Sequence, residues 1–181
     1  MKKTITLILA FLLLCFGLSA CTDLKNNNDD NDGDGGNENS SPTTAANILV
    51  AYFSCTGNTE KIAKMIARET GGALHEIQPQ IPYTEADLDY YSGGRADREQ
   101  ADPAARPAIA NSVENMPDYD VIFLGYPIWH GQAPKIIYTF LESYDFAGKT
   151  IVPFCTSGSS GVGSSADNLR PLAQNADWKN G

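Results

Sequence analysis

The chain has 181 residues, with 13 Lys and Arg against 22 Asp and Glu and a net charge of -9. So acidic a balance argues against a nucleic-acid partner, which would call for a basic face. Hydrophobic residues make up 42% of the chain, enough for one core in one domain of ordinary size.

Met1, Lys2 and Lys3 make a basic start, and Ile5 to Leu18 is an apolar run of about 14 residues, short of the ~20 a membrane-spanning helix needs. Residues 1–20 therefore read as a secretory signal. The stretch Leu18-Ser19-Ala20-Cys21 resembles a bacterial lipobox, which implies lipidation at Cys21; the alternative is an uncleaved N-terminal anchor. On either reading the protein is exported and lipid- or peptide-anchored to the bacterial cell envelope. Residues 21–46 contain almost no large apolar side chain and are expected to form a disordered acidic linker. The acidic run behind Cys21 is similar to signals that carry lipoproteins to the cell surface, or is a plain spacer. The periplasmic face and the cell surface both stay open.

Residues 47–181 form the expected domain. Ile48 to Phe53 is a continuous apolar run, as in a strand buried on both faces. From Asn58, a candidate cap, Ile62, Met65 and Ile66 share a helical face that Gly71-Gly72 ends. A short strand, Ala73 to Ile77, completes a βαβ unit and predicts a parallel sheet. Pro79 to Pro117 is rich in Pro, Tyr and charge, with one short helix expected near Ala96 to Ala101. Asp120 to Gly125 reads as a strand. Pro134 suits a first helical turn, followed by an apolar face of Ile136, Ile137, Phe140, Leu141 and Tyr144. Thr150 to Phe154 is the fourth strand, and Ala166 to Gln174 a weaker helix strained by Pro171. The segment NADWKNG promises little, so the fifth strand and last helix are expected to be short or missing. That would leave an apolar edge open to association, and a homodimer is one way to cover it.

In an open parallel α/β sheet, ligands bind beyond the carboxyl ends of the strands. Three loops emerge there. The first, Ser54 to Thr59, offers hydroxyls and a helix N-terminus suited to a phosphate monoester. It lacks the Lys of a nucleoside-triphosphate loop. The second, YPIWHGQAPK, carries Trp129, which can stack on a flat ring. The third, TSGSSGVG, offers bare backbone at Ser157, Gly158 and Gly161 that can approach a ring edge. A phosphate, a flat ring and backbone contacts at its edge together describe flavin mononucleotide (FMN).

With SCTGNT at the first loop, and GYPIWHGQAP and PFCTSGSSGVG following in order, residues 48–181 resemble the flavodoxin family. The resemblance implies a three-layer α/β sandwich with a parallel sheet in order 2-1-3-4. It implies FMN as cofactor, with Ser54, Thr56, Gly57, Asn58 and Thr59 on the phosphate. Pro127, Ile128, Trp129 and Gly131 would flank the ring, and Ser157, Gly158 and Gly161 its far edge. The third loop has no aromatic to cover the second flavin face. Either Tyr83 or Tyr90 substitutes, or the face is open to a second molecule.

The function so implied is electron transfer to a redox partner protein or small electron acceptor. The alternatives are an FMN-dependent NAD(P)H- or quinone-type oxidoreductase, and a degenerate domain without flavin. Cys55 to Lys61 also resembles the start of a low-molecular-weight tyrosine phosphatase. There an Arg is needed where Lys61 stands, and Lys lacks the bidentate fork. Cys55 and Cys155 end strands separated by a third, roughly 9–10 Å apart and beyond reach of a disulfide. His75 reads as a strand residue, His130 as either a flavin-tuning or a solvent-facing side chain. No cluster has metal-site spacing.

Overall fold

The computed structural model describes residues 46–181. The expected signal segment, Cys21 and nearly all of the linker lie outside the described residues. Among the described residues no helix is long and apolar enough to cross a membrane.

Five strands, β1 (Ile48–Tyr52), β2 (Ala73–Glu76), β3 (Val121–Pro127), β4 (Thr150–Thr156) and β5 (Asp177–Trp178), form one sheet in the order β2-β1-β3-β4-β5. Every pairing is parallel. Among the described residues five α-helices are threaded between them: α1 (Asn58–Thr70), α2 (Glu85–Leu88), α3 (Arg95–Ala101), α4 (Lys135–Glu142) and α5 (Gly163–Leu169). The period-2 alternation of strand side chains sorts the apolar runs into two layers. Leu49, Ala51, Phe53, Ile122, Leu124 and Tyr126 pack with Ile136, Ile137, Phe140 and Leu141 of α4 and Leu169 of α5. Val50, Tyr52, Phe123 and Phe154 meet Ala63, Ile66 and Ala67 of α1 on the opposite face. The sheet is thus covered on both sides, which is why β1 and β3 read as unbroken apolar runs.

Three expectations change in detail. Asn58 is the first residue of α1 and not its cap; Gly57 holds the cap position in a left-handed conformation (φ 77°). The last helix begins earlier, at Gly163, and Pro171 converts its end to a 3₁₀ turn over Arg170–Ala173, since proline removes a helical donor. The outer edge of β4 is not bare. Asp177 N donates to Lys149 O (2.8 Å) and Lys179 N to Ile151 O (2.9 Å). Trp178 folds back so that its indole N–H reaches Ala173 O (3.1 Å). The fifth strand is short, as the composition of NADWKNG suggested, but it is there.

Lys149 is buried where two turns meet. Its Nζ donates to Pro117 O (2.9 Å) and Tyr119 O (2.5 Å), tying the turn before β3 to the turn before β4. Hydrogen bonds from a charged donor contribute roughly 1.5–3 kcal/mol. Lys149→Met is therefore expected to lower the unfolding free energy by about that amount, measured by urea denaturation. A loss under ~0.5 kcal/mol would show that the two carbonyls are satisfied without it.

Candidate functional site

The parallel order places the ends of β1, β3 and β4 side by side, and their loops enclose a cleft of about 410 Å³, within the usual range for a small-molecule site. From the first loop it is lined by Ser54, Cys55, Thr56, Asn58 and Thr59; from the second by Pro127, Ile128, Trp129 and His130; from the third by Thr156, Ser157 and Gly158. A fourth wall comes from the segment between β2 and β3, through Leu88, Tyr90, Ala96 and Asp97.

The first loop presents unused donors. Ser54 Oγ is buried with no hydrogen-bond partner. No side chain caps α1, so its first-turn N–H groups, which have no intrahelical partners, are left for water or a ligand. Asn58 donates its side-chain amide to Thr56 Oγ1 (3.2 Å). Thr59 is buried and shares a hydrogen bond with Thr156 Oγ1 (2.8 Å), which joins the first loop to the end of β4. Ser157 is used within its own turn, its hydroxyl bridging the N–H (2.7 Å) and carbonyl of Ser160.

Trp129 is held edge-on by Phe53 (centroids 5.5 Å apart) and Tyr83 (5.3 Å). Its N–H and carbonyl bridge Gln132, both at 2.9 Å. His130 (φ 49°) and Gly131 (φ 77°) turn the chain there through left-handed conformations. Tyr83 sits behind this loop. Its ring lies under the Arg95 guanidinium at 4.2 Å, its hydroxyl is bonded to Glu99, and it faces a smaller hollow with Glu76 and Gln78. It does not line the cleft, whereas Tyr90 does.

Of the site residues expected from sequence, Ser54, Thr56, Asn58, Thr59, Pro127, Ile128, Trp129, Ser157 and Gly158 line the cleft. Gly57, Gly131 and Gly161 do not. The first two set the bends of their loops, and Gly161 lies on the third loop beyond the lining. The residues that sequence reading missed are Leu88, Ala96, Asp97 and Thr156. The Pro- and Tyr-rich stretch was expected at the cleft only through Tyr83 or Tyr90, and of these Tyr90 lines it; with no single period, it did not mark Leu88, Ala96 or Asp97 as inward-facing.

Cys55 and Cys155 are both free thiols. Cys55 is exposed at the cleft rim, yet desolvation of its thiol pushes the pKa up to about 12; nearby Arg95 opposes this, and Glu76 and Glu99 add to it. A thiol so far from ionising is no nucleophile at neutral pH, and Lys61 in place of Arg removes the other half of the phosphatase reading.

A doubly wound parallel sheet with an uncapped helix and an orphaned hydroxyl at its carboxyl edge defines the class: an α/β protein built to take a small anionic ligand. Residues 47–181 match the family model described as Flavodoxin, and the chain belongs to the flavodoxin family. It is similar to a candidate flavoprotein from Bacteroides eggerthii, with 48% identity, 75% of this chain and 86% of that one covered, and a TM-score of 0.73. A candidate flavoprotein from Bacteroides uniformis shares 43% identity over 76% and 89% of the two chains, again at 0.73. The fold also matches a flavoprotein solved in complex with FMN from Lactobacillus acidophilus, at 21% identity over 75% and 91% of the chains, TM-score 0.58. FMN is the cofactor that family membership implies, and the donor set fits it.

Ser54→Ala separates binding from folding. It removes a buried hydroxyl that has no partner, so the ligand-free protein should keep its stability or gain up to ~1 kcal/mol in urea denaturation. FMN affinity should fall about three- to tenfold. A destabilised protein with unchanged affinity would assign Ser54 to the core instead.

Proposed function

We propose that the protein binds FMN in this cleft and passes electrons through it at the bacterial cell envelope, to which a lipid on Cys21 would anchor it. The observation that carries the cofactor reading is Ser54 Oγ, buried and unpartnered beside the uncapped end of α1. Unpaired buried hydroxyls are unfavourable, and a ligand oxygen is the natural partner. Ser54, Thr56, Asn58 and Thr59, with the first-turn amides of α1, would hold the phosphate. Pro127, Ile128 and Trp129 would flank the ring from one loop, and Ser157 and Gly158 from the next.

When bound, the flavin supplies one- and two-electron chemistry that no side chain has. The chain's own residues bind, orient and tune. The cleft supplies hydroxyls and amides but no Lys or Arg among its described lining residues. Without a fixed cation, added negative charge is disfavoured, which supports a low potential. The alternative, an enzyme that takes NAD(P)H, differs from a carrier in reducing its bound flavin directly from that donor. For a carrier, the electron acceptor would be a redox partner protein or a small molecule.

Titrating FMN into the chain from Thr44 to Gly181 and following flavin fluorescence tests this reading. Quenching at 1:1 is expected, with affinity reduced at least ~10-fold in the Trp129→Ala, Thr56→Val double variant. A folded domain that leaves the fluorescence unchanged contradicts the reading and favours a flavin-free domain. Rapid flavin bleaching by NAD(P)H alone would favour the oxidoreductase.

A further inference from the structure

The second loop turns at His130 and Gly131, both in left-handed conformations (φ 49° and 77°), and Trp129 and Gln132 close the turn through paired backbone hydrogen bonds of 2.9 Å. That is the two-residue hairpin turn in which Asn-Gly is the favoured pair. With His in place of Asn the turn is less strongly favoured by its own sequence. Contacts from outside matter more.

Helix α3 supplies them. Asp97 and Gln100 are three residues apart, so they share one face of the helix, and both reach the loop. Asp97 Oδ1 lies 2.7 Å from His130 Nε2, and the imidazole rests flat on the Tyr90 ring, centroids 4.3 Å apart. Gln100 Nε2 donates to Trp129 O (3.0 Å) and Ala133 O (3.2 Å), spanning the two sides of the turn with one amide. A second route runs from the same helix to the indole. Arg95 and Glu99 hold Tyr83, by its ring and its hydroxyl, and Tyr83 packs edge-on to Trp129. Backbone and ring of Trp129 are thus both braced by one helix, which belongs to none of the three strand-end loops.

Gln100 makes its contact at a cost. Its Oε1 is buried without a partner. Reversing the amide would not relieve it, since the oxygen would then face two carbonyls, which are acceptors only. A buried acceptor left unpaired costs stability, and an aliphatic side chain of the same length would avoid that cost. What Gln100 supplies instead is a defined place for Trp129. Resting on the FMN reading above, we propose that Gln100 is a positioning residue for the flavin ring: its amide presets the Trp129 turn in the ligand-free protein, so that ring contacts form without reordering the loop. Preorganisation of this kind raises affinity by removing an ordering cost from the binding step. Gln100 does not line the cleft. It acts through Trp129, and not on the phosphate, which the first loop would hold.

Paired titrations of FMN and riboflavin into the full-length chain, followed by flavin fluorescence, separate ring from phosphate, because riboflavin carries the same ring without the phosphate. Gln100→Met keeps the length of the side chain and removes the donor. It should weaken both ligands by the same factor, about five- to tenfold. Ser54→Ala, by contrast, should weaken FMN and leave riboflavin unchanged. In a Trp129→Ala background, Gln100→Met should cost less than about twofold further, because residues that act through one another do not add. A urea midpoint of ligand-free Gln100→Met close to that of the wild type distinguishes positioning from unfolding. Should the Met variant prove unstable, Gln100→Asn, which keeps the amide but withdraws it by one methylene, should show the same loss. Unchanged affinities in a folded variant, a loss confined to FMN, or full additivity with Trp129→Ala overturns the proposal and leaves the FMN reading intact. Absence of any fluorescence change with FMN in the wild type overturns the FMN reading and this proposal with it.

Discussion

Parallel hydrogen bonding of β3 to β1 on one side and to β4 on the other is the constraint on which the cleft depends. Tyr52 pairs with Gly125, and Pro127 with Thr156, so all three strands end at the same edge. Phe53 N continues the first pairing to Gly125 O (2.9 Å), and Ile128 N the second to Thr156 O (2.9 Å). The loops therefore leave the sheet already fixed to their neighbours. A Cβ on Gly125 would lie 2.2 Å from the Phe154 ring; the missing side chain lets β3 and β4 pack closely on the α1 face. The hydrogen bond between Thr59 and Thr156 then locks the start of α1 to the end of β4 across the central strand.

The fourth wall is assembled differently, by side chains and not by the sheet. Thr84 and Asp87 form a capping box that starts α2. Gly94 lets α3 begin close against α2, since a Cβ there would lie 2.7 Å from Ala86 O. Arg95 spans Tyr83, Glu99 and the carbonyl of Ile81. From α3, Gln100 donates to Trp129 O (3.0 Å) and Ala133 O (3.2 Å), while Asp97 takes His130. The second loop is thereby held from both sides, by β4 and by α3. Tyr83 is used up as a packing residue behind Trp129, which leaves Tyr90, stacked on His130, as the aromatic of this segment in the cleft.

Much of the fold was legible because its signals are local. The run at Ile48 is buried on both faces, those at Val121 and Thr150 are buried on one face and half-buried on the other, all three are continuous apolar runs, and the helical faces of α1 and α4 have a clear 3.6 period. The three loops were legible because hydroxyl-, Gly- and Trp-bearing turns at one sheet edge point to a ligand. What escaped was nonlocal. Asp97 and Ala96 sit in a charged helix whose inward face is defined only by a loop more than 30 residues away. β5 is two residues long, too short for any period, and exists because Lys149 and Ile151 offer free carbonyls beside it. Gly57 rather than Asn58 at the cap of α1 reflects the left-handed turn of the first loop, a need invisible in cap propensities alone.

If the three strand-end loops and the α3 wall form one flavin site, added FMN must perturb all four together. Mapping amide chemical shifts of the isotopically labelled chain during addition of FMN tests it most directly. The largest changes are expected at Ser54 to Thr59, Ile128 to His130, Thr156 to Gly158 and Asp97, with the opposite edge around Asn47 and Asn115 unmoved. Changes centred at that opposite edge, or none at ~1 mM FMN, would contradict it.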